Sequence, residues 1–211
     1  CRHFVLGGGM NAVAPRWERR PATRRDELLD AATGLLQKQP LTDIKVSDIT
    51  VVANTSKGTF YTYFATKEEL FAALNERYLD GLVAEMGRAG SDLDNGDWFD
   101  RQDATIAAAI LYMYEKDDLI EVWEREDVAA DPTELFSTGF NRIASAWAVS
   151  IGEEVAAGRV HCDDPLTTAF LVAHAIDGAV VRDMLGRTGQ TALGPERIIP
   201  VAQKMFRALM A

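Results

Sequence analysis

The side chains best placed by type and spacing to do chemistry fall within residues 56–67: Ser56, Lys57, Gly58, Thr59, Tyr61, Tyr63 and Lys67. They are hydrogen-bond donors and a cation, set beside a glycine that lets the backbone come close to a partner. Small or extended donors at the N-terminal end of a helix suit the base edges of a DNA major groove. The two tyrosine hydroxyls are long enough for phosphate oxygens. Lys67 stands at an expected helix start, where a cation joins free backbone N–H groups in a phosphate-binding arrangement. For Tyr61 and Tyr63 the alternative is packing beneath the domain, and Phe60 and Phe64 are assigned to its core.

Catalytic chemistry finds less footing. The histidines are His3, His161 and His174, with no His-x-x-x-His pair, nucleophile elbow or phosphate-cradling loop among them. Gly7-Gly8-Gly9 lacks a following helix. Cys1 and Cys162 form no spaced motif, so neither a disulfide framework nor a zinc site is expected, and a reducing cytoplasm is the default location. The carboxylates of Asp117-Asp118 and Glu124-Glu126-Asp127 read as a solvated face. The expectation is a non-enzyme without metal or cofactor.

Ahead of those residues, Val46, Ile49, Val52 and Ala53 recur at helical spacing and end at Asn54-Thr55-Ser56. Asn accepts a left-handed conformation, and Ser56 can cap a second helix opening at Lys57. Thr66 can cap a third, with Glu69 as its capping-box partner. Two short helices about a tight turn, the second presenting small and hydroxylated side chains, have the geometry of a helix-turn-helix. Ahead of it, Thr23 can cap a helix carrying Leu28, Leu29, Ala32, Leu35 and Leu36, which Pro40 ends.

This stretch resembles the DNA-binding domain of the tetracycline-repressor (TetR) family of transcriptional regulators. The resemblance lies in Ile49, Ala53, Ser56, Lys57-Gly58-Thr59-Phe60-Tyr61, Tyr63-Phe64, Lys67-Glu68 and Leu70, and covers roughly Arg24 to Leu74. Thr50 departs from the usual Ala of the family and Asn54-Thr55 from its usual Gly-Val. The resemblance implies backbone-holding roles for Tyr61, Tyr63 and Lys67, and a double-stranded operator as partner.

The rest of the chain reads as helices at about Thr66–Gly87, Trp98–Glu115, Asp118–Asp127, Pro132–Ala157, Pro165–Leu185 and Pro195–Met210, with a loop at Arg88–Gly96. No alternating strand pattern is present. The expected fold class is all-α, with about nine helices in three parts: a flexible N-terminal arm (1–22), a helix-turn-helix domain (23–70) and a helical effector-binding and dimerisation domain (71–211). Arg16, Arg19, Arg20, Arg24 and Arg25 crowd residues 16–25, where Pro15 and Pro21 argue against a continuous helix, and the stretch reads equally as a solvated arm or as one touching DNA phosphate or a minor groove. No apolar run is long enough to span a membrane. Residues 1–9 read as a tail ahead of Met10.

Net charge is −10, unevenly spread: residues 1–70 hold 10 Lys+Arg against 8 Asp+Glu, and residues 71–211 hold 12 against 24. That balance suits a protein meeting phosphate at one end only.

The body is rich in aromatics, which any helical core needs. The resemblance implies that some line a pocket for an apolar or amphipathic small-molecule effector: Trp98, Tyr112, Trp123, Phe140, Trp147 and Phe170, with His174 and Asp177 fixing orientation. It implies too that the last two helices form a homodimer interface. There Leu171, Val172, Ala175, Gly178, Ala179 and Arg182 stand against Ile198, Val201, Ala202, Met205, Phe206 and Leu209; an ordinary intrachain hairpin is the alternative. The function expected is a repressor released from a near-palindromic operator by such an effector. The alternatives are a helical binding protein or enzyme using the aromatic cavity, and a regulator acting through protein contacts.

Overall fold

The computed structural model describes residues 21–93, 96–116, 132–186 and 192–210, with side chains omitted at 21–23 and 132–140. The arm at 1–20 and the helix expected at Asp118–Asp127 lie outside the described residues. Eight α-helices and one 3-10 turn make up the described chain, which contains no strand. They are α1 (Pro21–Leu36), α2 (Val46–Val52), α3 (Lys57–Tyr63), α4 (Lys67–Ser91), α5 (Trp98–Glu115), α6 (Pro132–Ala156), α7 (Pro165–Met184) and α8 (Pro195–Leu209). The fold is all-α.

Two apolar cores are built on this order. The first joins Leu28, Leu29 and Ala32 of α1 to Ile49, Phe60 and Phe64, and is closed by Leu70, Phe71 and Leu74 of α4. The second begins on the same helix at Tyr78, Leu79 and Leu82 and takes in Ile106, Ile110, Trp147, Val172, Ile176 and Phe206. Helix α4 therefore belongs to both, and the changeover falls between Leu74 and Tyr78. Asn75 sits in that gap, 4 % exposed, with neither amide atom hydrogen-bonded within the protein. An unmet buried amide costs about 1–3 kcal/mol.

The helix ends follow local chemistry. Ser56 caps α3 by accepting from the Thr59 amide at 3.0 Å, and Asp97 and Asp164 cap α5 and α7 through the Asp100 and Thr167 amides. Thr66 caps α4 through the Glu69 amide, while Glu69 reaches back to the Ala65 amide, one residue beyond the usual capping box. At the end of α2, Asn54 adopts φ 48°, the Asn54 amide bonds the Val51 carbonyl and the Thr55 amide the Thr50 carbonyl. These bonds form a complete Schellman motif with Asn in the place of Gly.

Two expectations need correction. Helix α1 opens at Pro21, so Thr23 lies in its first turn and is not its cap; Pro fits there because first-turn N–H groups have no helical partner. Helix α4 runs to Ser91, four residues past Gly87, through a stretch read as loop. Two of its glycines serve packing: a Cβ at Gly81 would lie 2.1 Å from the Tyr112 hydroxyl, and one at Gly90 3.1 Å from Thr105 Oγ1, whereas Gly87 faces open space. Small residues let α5 close on α4.

In the body, Trp147 stacks on Phe206 with ring centroids 5.4 Å apart, and Trp98 meets the same ring at 5.6 Å. The indole N–H groups of Trp147 and Trp98 donate to Gln102 Oε1 and Ser150 Oγ. Asp183, buried near the end of α7, accepts from the Tyr114 hydroxyl at 2.6 Å and from the Leu193 and Gly194 amides at 2.6 and 3.0 Å. Burial alone would raise its pKa, but these bonds outweigh burial and hold it below the usual carboxylate value. Asp183 thus fixes the strand of chain leading into α8.

Candidate nucleic-acid interface and body cavity

Helix α3 buries Phe60, with Phe64 just beyond its end, and turns Lys57, Gly58, Tyr61 and Thr62 outward. Tyr61 is 57 % exposed, its ring set edge-on against Phe60. Gly58 has no internal reason to be glycine. A Cβ there would make only ordinary contact with Ser56 Oγ at 3.6 Å, and its φ is not positive. Glycine inside a helix costs about 0.5–1 kcal/mol relative to Ala. The fold therefore does not require a glycine at this outward position.

The other expected DNA-facing residues divide. The Ser56 and Thr59 hydroxyls lie 3.0 Å apart and hydrogen-bond each other at the cap, with Thr59 half-buried. Tyr63 is half-buried and leans on the N-terminal core. Lys67 stands at the first position of α4, and its ammonium donates to the Leu41 and Ile44 carbonyls at 2.8 and 3.0 Å. That ammonium ties the α1–α2 connection to α4, a structural duty absent from the sequence reading. Thr62, whose hydroxyl bonds the Gly58 carbonyl, belongs to the outward face and was missed. Its i+4 spacing from Gly58 was the available signal. Arg25 lies over the Phe64 ring at 5.4 Å, and Arg24 pairs with Glu27 at 2.6 Å. Both α1 arginines therefore touch neighbouring side chains of the domain.

In the body, a cavity of about 30 Å³ opens between α4, α5, α6 and α7, lined by Leu82, Met86, Ile106, Ala109, Met113, Ile143, Trp147, Ala173, Ile176 and Asp177. It has room for little more than a water, against the several hundred Å³ of a typical small-molecule site. Of the residues expected to bind an effector, Trp147 and Asp177 line it. Trp98 is committed to the Phe206 cluster, and Tyr112 packs on Tyr78 with its hydroxyl over Gly81. Phe170 and His174 meet each other, and His174 is exposed: a helix turns about 100° per residue, which carries it off the Ala173–Ile176–Asp177 face. Trp123 and the Phe140 side chain lie outside the described residues. The sequence reading overlooked Tyr78. Its hydroxyl is held protonated far above its usual range, first by burial and then by the negative charge of Asp177.

The last two helices divide their expected interface residues, with Gly178 and Met205 half-buried and Arg182 exposed among the rest. Val172, Ile198, Ala202 and Phe206 point inward and are buried, as an intrachain hairpin requires. Leu171, Ala175, Ala179, Val201 and Leu209 remain exposed, Leu171 at 66 % and Val201 at 67 %. An apolar stripe therefore runs along the outer face of both helices. Among the described residues no group of His, Cys, Asp and Glu is arranged to hold a metal, and no helix is long and apolar enough to cross a membrane.

Residues 28–74 match the family described as bacterial regulatory proteins, tetR family. The chain is 40 % identical over 81 residues to the HTH-type transcriptional regulator EthR of Mycobacterium tuberculosis, a match covering 36 % of this chain and 38 % of EthR. The chain thus spans little more than a third of the length of the curated relatives it matches. A TetR transcription regulator from Haloarcula marismortui superposes over 90 % of this chain and 100 % of that one, with TM-score 0.74 at 16 % identity. The SmeT–triclosan complex, of the repressor of a Stenotrophomonas maltophilia multidrug efflux pump, covers 88 % of this chain and 90 % of that one, with TM-score 0.67 at 21 % identity. The helix-turn-helix is thus of the tetR type, and the all-α fold is the one those regulators share.

Proposed function

We propose that this TetR-family chain is a homodimeric transcriptional regulator that represses from a near-palindromic operator and is released by a small-molecule effector. The carrying observation is the outward face of α3, where Lys57, Gly58, Tyr61 and Thr62 are exposed and Gly58 is not required by the fold. Lys57, Tyr61, Tyr63 and the free amides at the start of α4 hold phosphate; Ser56, Gly58, Thr59 and Thr62 approach base edges. The balance of 10 basic against 8 acidic residues before residue 71 is too small for one copy to grip DNA by charge. Two copies, joined through the exposed stripe of α7 and α8, would present recognition helices to half-sites about 34 Å apart.

Effector response works through α4. Its first turns belong to the N-terminal core and its later turns line the cavity, so a ligand entering the body tilts the same rod that carries the recognition helix. A ligand that binds the DNA-incompetent tilt more tightly shifts the population away from DNA. A gel shift with the DNA upstream of the chain's own gene tests the reading. A sequence-specific shift is expected, and binding to random DNA with equal affinity would overturn it.

A further inference from the structure

We propose that Asp30 and Arg77 form a clasp that sets the angle of the helix-turn-helix domain on α4, and that operator affinity depends on this clasp although neither residue belongs to the DNA-facing surface. The inference rests on the regulator reading.

Helix α4 leaves the N-terminal core after Leu74 and joins the body core at Tyr78. The inward residue at that level is Asn75, a buried amide that interrupts the apolar face of the helix. Arg77 lies two residues on, about 200° around the helix and so on its other side. It stands beyond the last α4 residue of the N-terminal core, yet its guanidinium reaches back to α1. Nη1 donates to Asp30 Oδ1 at 2.7 Å, and Nη2 donates to Thr33 Oγ1 at 3.4 Å. Asp30 and Thr33 are three apart on α1, so the planar fork of the arginine spans one turn of that helix. Thr33 gives its own proton to the Leu29 carbonyl at 3.0 Å, which leaves its oxygen an acceptor for Arg77. Leu28, Leu29 and Ala32 of α1 pack in the N-terminal core. Helix α1 is thus tied to α4 twice, by apolar contact before the changeover and by the Arg77 fork at it.

Asp30 is exposed and Arg77 half-buried, and such a pair adds little to global stability because its charges keep much of their water. Its weight in an angle is greater. The competing states differ only in how α1–α3 stand on α4, so a bias of up to about 5-fold per copy moves the population, and two copies in a dimer multiply it. The direction follows from the body. The clasp is closed in an arrangement whose cavity holds about 30 Å³, too little for an effector. The regulator reading makes that arrangement the effector-free, DNA-competent one, so opening the clasp weakens operator binding.

Charge reversal in the full chain provides the test. Arg77→Asp makes the chain more negative and Asp30→Arg makes it more positive, so a general effect of charge on DNA binding moves the two variants in opposite directions. A clasp moves both the same way. Gel shifts compare the DNA upstream of the chain's own gene with a random duplex. The ratio of the two affinities should fall about 5-fold or more in each single variant. It should return to within about 2-fold of the wild type in the double variant Asp30→Arg/Arg77→Asp. Opposite shifts in the two singles, no change in either, or a double no better than the singles would each overturn the proposal. A second readout needs no DNA. Nitroxides at Thr62→Cys and Leu111→Cys, exposed on α3 and α5, are placed in a Cys1→Ser chain that keeps the buried Cys162. Their distance distribution by pulsed EPR should broaden in each single variant and narrow again in the double. That pattern without a sequence-specific shift of the wild type overturns only the regulator reading. A specific wild-type shift, with affinity ratio and distances indifferent to all three variants, overturns only the clasp.

Discussion

Gly58 and Lys67 show how little a residue's type says about its duty until its neighbours are known. Gly58 sits where the fold would accept a side chain, so Gly58→Ala should raise stability by about 0.5–1 kcal/mol in urea unfolding. The same change should weaken specific DNA binding by about 1 kcal/mol or more, because the added methyl stands between backbone and groove. A variant both less stable and unimpaired in binding would refute that assignment. Lys57 is exposed and free of any such structural duty. Lys57→Ala should lower the slope of log affinity against log salt by about 0.9 with Tm unchanged. Lys67→Ala should differ, since it removes two charge-assisted bonds to the Leu41 and Ile44 carbonyls and should cost about 1–2 kcal/mol of stability. Thermal melts beside salt titrations distinguish the two lysines.

Among the elements, the end of α2 and the junction of α7 with α8 carry the most local information. Asn54 holds a left-handed conformation that completes the turn of the helix-turn-helix. Asn54→Gly should be tolerated, whereas Asn54→Ala should cost about 1 kcal/mol, measured by denaturant midpoint. Asp183 ties α7, α5 and the approach to α8 together through the bonds from Tyr114, Leu193 and Gly194. Its folded-state pKa lies below its unfolded one, so its stabilisation is complete above the unfolded value and is lost as pH falls through the folded one. Stability should accordingly drop below about pH 4. The gap between the wild type and Asp183→Asn should narrow over the same range, and a gap independent of pH would remove Asp183 from the acid response.

For the whole molecule, the two cores share one helix and the outer face of α7 and α8 remains apolar. Leu171→Asp places a charge on that face without touching the inward side of the helix. Light scattering should then report a monomer with nearly unchanged Tm, and operator affinity should fall on the order of 100-fold through loss of the second half-site. A variant that stays dimeric would move the interface elsewhere.

The sequence by itself determined the local order. Helix period, capping residues and prolines placed most described helices within a few residues, and the spacing of Ser56, Lys57, Gly58 and Tyr61 marked the outward face of α3. These features were readable because each depends on neighbours within about one helical turn. Contacts between distant segments were not readable that way. Only the tertiary structure decided that Lys67 reaches back to Leu41 and Ile44, and that Gly87 and Gly90 lie inside α4. Only packing turned His174 outward while leaving Asp177 on the cavity, and only packing drew Tyr78 into the field of that carboxylate. Periodicity tells which residues share a face of a helix, but what that face meets is set by other helices far along the chain. The stretch at 56–67 therefore declared its own geometry, while its attachment to the body is decided by α4, whose residues belong to both cores.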